Sequence, residues 1–560
     1  MMNNENSSNE LDSKPVSLDG IDTDKRSTLT KLAVGAAAIP FASVLHAAPE
    51  KLITDNITLM KNETGPFDIV IENGRVVDPE TKLDAVRNVG IKDNRIAAIS
   101  DKKLTGAKVI DATGLVVAPG FIDMHAHGQQ VPAARAQAFD GVTTALEMES
   151  GLLPIGKFYD DCAVEGRPIN YGASVAWTYA RVMAKEKNVS PADGTIVWFQ
   201  KAFALKNWQN TLATKDELTE ILASVEQGLK EGGLGIGINA GYAPGYGHKE
   251  YYELAKLAKS YDVPTYTHVR YLNSAEPKSS FEAYQELISL SATTGAHMHV
   301  CHLNSTSVQD IEDCADLIQS AIDNNIAITT EAYPYGAGSS AVGAEVFRGE
   351  DWLERWGVPS ASYMEINGKA LNQAKVTELQ ETAPGSVVVM HFLKPDESKD
   401  DRQKMDRSVL FPGAAIASDA MPWMNSKGQL IEGDVWPLPE DAFAHPRSIA
   451  CFSRFVNKYV NDYKAISLVE AMERTSLNAC RILEDAIPQM KNKGRVQVGK
   501  DADLVVFKLE EVKDVATFTQ PNAISTGMKY VLVNGAPLIE KGELHLDAMP
   551  GQAIRRNVSA

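Results

Sequence analysis

A chain of 560 residues is far longer than one ordinary domain, and 44% hydrophobic content is enough to build a large core beside a smaller accessory domain. A formal net charge of -18 excludes broad phosphate recognition, so nucleic acid is not an expected partner, although a few local cations would suffice for a small anion. Cys162, Cys301, Cys314, Cys451 and Cys480 form no CxxC pair and no regular framework, which excludes a disulfide scaffold.

Residues 1–48 read as a polar lead and an export signal rather than as folded structure. Lys25-Arg26-Ser27-Thr28-Leu29-Thr30-Lys31 is a basic segment, the apolar run Leu32 to Ala48 follows it, and small residues close it near Pro49. The long lead and the Lys-Arg pair resemble a twin-arginine signal with its first arginine replaced, so a periplasmic or exported protein is expected. The alternative is a membrane-anchoring helix or an unprocessed tail. No Cys follows the apolar run, so no lipoprotein anchor is expected.

From residue 66 the pattern is β. FDIVIENGRVVD alternates apolar and polar residues and carries Asn73-Gly74, a hairpin signature. VRNVGIKDNRIAAIS and KVIDATGLVVAPG continue the texture, and GRVQVGKDADLVVFKL and MKYVLVNGAPLIEKGELH repeat it at the far end. A small β-sandwich domain assembled from 66–117 and 494–548 is therefore expected. Between them, at 118–493, apolar strands alternate with amphipathic helices. FIDMHAH, GVTTALEME, NYGASVAW, LGIGINAGY, VPTYTHVRY, AHMHVCHL, AITTEAYPY and AAIASDAMP make eight strands, the number a (β/α)8 TIM-like barrel of the α/β class requires. ELTEILASVEQGLKEGG and FEAYQELISLSATTG are helices that close near glycine. The run 338–386 is too long for a simple connection and reads as a lid or subdomain.

Chemistry concentrates at strand ends. His125 and His127 are two apart in PGFIDMHAHG, so both can point into the barrel at the end where such enzymes keep their sites, as ligands of one divalent ion. The alternative is a pair of structural histidines. His268 shares a strand face with Tyr266 and Arg270. His302 cannot share a regular strand face with His297 and His299, and it lies nearer the strand's C-terminal end, which makes it the chosen ligand. Asp419 closes the last strand as ligand, base or both.

Together APGFIDMHAHG, FDGVTTALEMESG, THVR, CHLNS, EAYPYGAG, ASDAMP, AHPRS and GKDADLVVF resemble the amidohydrolase superfamily. Within it the likeness is to N-acyl-D-amino-acid deacylases, especially the D-glutamate deacylase-like branch. The resemblance implies that His125, His127, His268 and His302 bind metal, and that Asp419 binds metal and acts as general base. Many of these deacylases carry a Cys ligand where this chain has Ser150. Glu149 is expected to replace it here, as a carboxylate that bridges two ions or completes one site, with Glu147 on the same face as the alternative; the other reading is a buried or lid-facing acid that pairs with Arg270. No lysine sits on an inner strand to serve as a carboxylated bridge.

The expected cofactor is a divalent metal, Zn²⁺ first, as one ion or two. Such an ion lowers the pKa of its water from 15.7 to about 7, Asp419 moves the proton, and a nearby Tyr stabilises the oxyanion. The expected substrate is an N-acyl-amino acid, N-acyl-D-glutamate first. Arg270 and Arg447 are candidates for its carboxylates, a structural salt bridge being the alternative for either, and Tyr242 and Tyr333 or Tyr335 are candidates for hydrogen bonds. Some relatives have a Lys where this chain has Asn304. The rivals are an isoaspartyl dipeptidase or cyclic-imide hydrolase sharing the ligands, and a non-catalytic scaffold. A homo-oligomer is compatible with the sequence.

Overall fold

The computed structural model describes residues 66–558 apart from residue 273. The export signal and polar lead expected at 1–48 lie outside the described residues. Among the described residues, no helix is long and apolar enough to cross a membrane.

Eight parallel strands pair in chain order: Phe121–Asp123, Val142–Leu152, Asn170–Ala176, Ile236–Asn239, Thr265–His268, Met298–Val300, Ile328–Ala332 and Ala415–Ile416. They are the eight expected from the sequence. Just past the last strand, Ala420 bridges in parallel to Ala126, and His127 N donates to Ala420 O at 2.8 Å. Below that contact Ser418 N donates to Asp123 Oδ1 at 3.0 Å, so the sheet closes on itself as a barrel. Helices cover it for local reasons. Lys215–Lys230 starts at a capping box in which Thr214 and Glu217 satisfy each other's backbone N–H, and it buries Ile221, Val225 and Leu229. Ser280–Thr294 stops at Gly295, whose φ of 71° is the left-handed conformation that ends a helix.

Strands from both ends of the described chain share one nine-stranded sheet. The seam is Val116–Pro119 against Leu504–Phe507, antiparallel, with Leu504 opposite Pro119. The Asn73-Gly74 pair does not make the expected hairpin. Phe67–Asp78 runs on as one strand, and the register against its neighbour shifts between Ile71 and Gly74. Asn73 takes φ 62° within this bulge, and its N–H donates to Asn88 Oδ1 at 2.8 Å, so the left-handed residue bends the strand without reversing it.

Between the seventh and eighth barrel strands lies a four-stranded antiparallel sheet, with Ala337–Ala341 paired to Val387–His391 and Met364–Ile366 beside Lys369–Ala370. Its strands extend a few residues beyond the 338–386 expected for an inserted segment.

Candidate metal centre

The barrel's C-terminal end gathers His125, His127, Glu149, His268, His302 and Asp419, each of them buried. Several trios among them hold their ligand atoms within 4.8 Å of one another. His125 and His127 follow the first strand, and their Nε2 atoms meet at 3.2 Å. Glu149 lies in an irregular stretch of the second strand. Glu147 pairs with Ala173 and Leu152 with Val175, so the residues between bulge away from the third strand. Its carboxylate then divides its attention. Oε1 lies 2.9 Å from both His268 Nδ1 and His302 Nε2, while Oε2 lies 3.5 Å from the Nε2 of His125 and of His127. Asn239 Nδ2 donates to Oε2 at 2.8 Å and fixes the group's rotation. Asp419 Oδ1 completes the Oε2 side, 3.2 Å from His127 Nε2 and 3.6 Å from His125 Nε2.

Two of these residues arrive through backbone turns rather than strand geometry. The sixth strand ends at Val300, and His302 takes φ 35° as the cap of the short helix Leu303–Ser307. That turn brings its ring to the centre although His299 also points inward. Of the two sets weighed from the sequence, His302 reaches the cluster and His297 and His299 do not. His299 Nδ1 pairs with Thr329 Oγ1 at 2.9 Å, below the centre, and His297 Nε2 with the same hydroxyl at 2.8 Å. Asp419 likewise has φ 49°.

Glu147 faces His127 Nδ1 with both oxygens, at 3.0 and 2.9 Å, and so stands behind the ring instead of in the centre. Glu331, unassigned from the sequence, stands behind His125, with Oε1 2.5 Å from Nδ1. An acid inside the otherwise uncharged strand ITTEA was the one signal that could have found it.

The donor set fits a divalent ion. Among the described residues, four buried carboxylates converge here, Glu147, Glu149, Glu331 and Asp419, and Arg447 is the one guanidinium paired with them. With Nδ1–H given to the carboxylates behind, the neutral rings of His125 and His127 present two bare Nε2 lone pairs to each other, an arrangement only positive charge relieves. Burial alone would keep these rings neutral, yet the carboxylates outweigh it. Glu147 and Asp419 raise His127 to about 10, and Glu331, Glu149 and Asp419 push His125 well above the imidazole range. Burial disfavours charge on Asp419 too, but Arg447 and His125 hold it well below the usual carboxylate range. Nitrogen and carboxylate donors of this kind suit Zn²⁺ and its neighbours.

Arg447 opens the helix Arg447–Val456 and grips Asp419 twice, Nη2 to Oδ2 at 2.6 Å and Nε to the backbone O at 2.7 Å. Tyr333 stacks on that guanidinium at 4.5 Å and is itself buried. Tyr242 accepts from Ser340 Oγ at 3.1 Å and packs on His268. Both tyrosines line the small cavity over the centre, about 30 Å³, together with Asp419 and Glu149. Tyr335 instead donates to Ala450 O at 3.3 Å.

Arg270 corrects an expectation. The fifth strand stops at His268, so strand parity no longer governs residue 270. Its guanidinium meets Glu286 at 2.6 and 3.0 Å, donates to Tyr246 O and lies 3.5 Å over the Tyr246 ring, and it does not line the cavity. Asn304 points away as well, donating to Tyr333 O and Tyr335 O.

The Amidohydrolase family is matched over residues 108–318 and 303–539. The chain is 24% identical over 506 residues to a D-aminoacylase of Alcaligenes xylosoxydans xylosoxydans, covering 86% of this chain and 96% of that protein. It is 25% identical over 522 residues to an N-acyl-D-glutamate deacylase of the same organism, covering 88% and 97%. Among solved structures, an N-acyl-D-glutamate deacylase from Bordetella bronchiseptica, complexed with zinc and a phosphonate inhibitor, superposes with a TM-score of 0.69 at 22% identity, covering 88% of this chain and all of that one.

Proposed function

The chain belongs to the amidohydrolase family, and from that membership we propose that it hydrolyses the amide bond of N-acyl-D-amino acids with a divalent metal, zinc first. The observation that carries the reading is the Glu149 carboxylate shared between His268 and His302 on one side and His125 and His127 on the other, with Asp419 at its edge. His125, His127, Glu149 Oε2 and Asp419 would hold one ion, and His268, His302 and Glu149 Oε1 a second. A bound ion acidifies water and polarises the amide carbonyl.

The chain's own groups supply the rest. Asp419, kept ionised by Arg447, is a weak base suited to an already acidified water; it takes that proton as oxygen attacks the acyl carbon. The same proton then passes to the amide nitrogen as the C–N bond breaks, leaving a carboxylate and an amine. Burial pushes the Tyr333 hydroxyl up, so it stays protonated and able to donate to oxygen in the cavity.

Within the class, N-acyl-D-glutamate is the substrate we put first, on the resemblance and the 25% identical relative. Arg447 donates from Nη2 to Ser339 Oγ at 3.3 Å, and Ser339 lines the cavity. A neutral side chain is the second reading, favoured by Leu272, Val346, Phe347, Trp356 and Met390 in the cavity wall.

The test is a metal-reconstituted panel of paired N-acetyl-D- and N-acetyl-L-amino acids including Glu, Asp, Leu and Met. Preferential release of D-glutamate supports the first reading and of D-leucine or D-methionine the second. Silence with metal bound rejects deacylation and moves the assay to isoaspartyl dipeptides and cyclic imides. Export is proposed alongside, on the Lys25-Arg26 pair and the apolar run; an intact N-terminus on protein from the native host's cytoplasm would overturn it.

A further inference from the structure

Each histidine of the first-strand pair is backed by a carboxylate from a different strand. Glu147, on the second strand, brackets His127 Nδ1 with both oxygens. Glu331, on the seventh, receives His125 Nδ1 at 2.5 Å, and His302 N also donates to that oxygen at 3.4 Å. The other Glu331 oxygen lies 3.5 Å from His299 Nε2, whose Nδ1 is tied to Thr329 Oγ1. Tyr266 packs on the His299 ring, which lies beneath the buried Glu331 carboxylate.

The other two histidines are held differently. His302 Nδ1 pairs with Ser305 Oγ at 2.9 Å, and His268 Nε2 has no hydrogen-bond partner among the described residues. Carboxylate support is thus confined to the Oε2 side of Glu149.

We propose that Glu331, with Glu147 as its counterpart, is a positioning residue that holds its histidine in the Nδ1–H tautomer with Nε2 facing Glu149 Oε2 and Asp419, and so sets the affinity of that side for metal. The inference rests on the metal reading above. A carboxylate behind an imidazole fixes ring orientation and makes the opposite nitrogen a better donor, and its removal typically costs 10–100-fold in affinity. A purely structural role, in which Glu331 only satisfies buried hydrogen bonds, would instead appear in folding.

The experiment is a Co²⁺ titration of metal-stripped protein against a chelating indicator, with visible absorption recorded, for wild type, Glu331→Gln and Glu147→Gln. The expected result is an affinity about 10–100-fold weaker in both variants and a changed cobalt spectrum, with the unfolding midpoint of the stripped protein within a few degrees of wild type. Unchanged affinity and spectrum overturn the proposal, as does a loss of affinity that only parallels collapse of the stripped protein's folding. If Glu331→Gln does not fold, Glu147→Gln decides by the same criteria. Wild type that takes up no cobalt overturns the metal reading itself, a result distinct from wild type that binds and variants that bind equally well.

Discussion

His302 and Asp419 adopt φ values of 35° and 49°, a region that costs a side-chain-bearing residue roughly 1–2 kcal/mol. Both lie just past the last extended residue of their strands, where a turn re-aims a side chain that alternation would send elsewhere. Strand parity therefore found the pair Glu147 and Glu149 inside their strand; His125 and His127, like His302, Asp419 and Arg270, lie past the last residue of theirs, and for the two histidines the parity reading agrees with the outcome while for Arg270 it does not. Glu147 and Glu149 show the limit in another way. Both share a face in the sequence, and only the bulge after Glu147 separates a group behind His127 from one in the centre. Two outcomes follow for single residues. Asp419→Asn should lower kcat by about 10²–10⁴-fold while bound metal, measured by elemental analysis, largely remains, because the amide keeps an oxygen donor but loses the base. Near-normal kcat would remove Asp419 from that role. Glu149→Ala should lower the metal-to-protein ratio, since both sides of the centre lose a donor, and an unchanged ratio would exclude Glu149 as a ligand.

The helix Arg447–Val456 carries the arginine that grips Asp419, and it is broken at Ala450, whose φ of -143° is not helical. The freed N–H groups of Phe452 and Ser453 donate to the Asp140 carboxylate, each at 2.8 Å. Burial raises Asp140 to about 7 from 3.8 despite these bonds and that of Ser525. The folded protein accordingly keeps a proton there that the unfolded chain gives up, so this group's contribution to stability is full below about pH 4 and declines as pH rises to about 7. Asp140→Asn removes that decline. Denaturant midpoints across pH 4.5–8 should show the variant gaining on wild type as pH rises, and parallel curves would mean that Asp140 is ionised throughout. The elements themselves were readable to differing degrees. Eight strands and two capped helices followed from apolar rhythm and turn chemistry. The Asn73-Gly74 bulge did not, because a left-handed Asn-Gly pair serves a hairpin and a bulge equally, and only the neighbouring strand decides.

At the scale of the whole molecule, the metal centre joins residues of the first, second, fifth, sixth and eighth strands, so an ion bound there ties together segments distant in the chain. An ion held at one hundred times its Kd stabilises the folded state by about 2.7 kcal/mol. Stripping metal with a chelator should lower Tm in calorimetry, and Zn²⁺ or Co²⁺ should restore it; a Tm indifferent to both would argue against a structural contribution from bound metal. The inserted sheet has a different standing. Ser339, Ser340, Val346, Phe347 and Met390 cover the cavity, while Asn210 Nδ2 and Tyr242 OH hold it from the barrel side through Glu345 and Ser340.

The amino-acid sequence alone determined the barrel, its order of strands and most of the groups that converge at its mouth, because period-two alternation and the ends of apolar runs are local properties that survive in one dimension. Tertiary structure decided which of two like acids enters the centre, that Arg270 belongs to Glu286, that Arg447 holds Asp419, and that Glu331 backs His125. Each of those is a choice of partner between elements distant in the chain or packed side by side. An arginine or a glutamate reaches far enough to satisfy several neighbours, and which one it meets depends on the packing that brings the strands together.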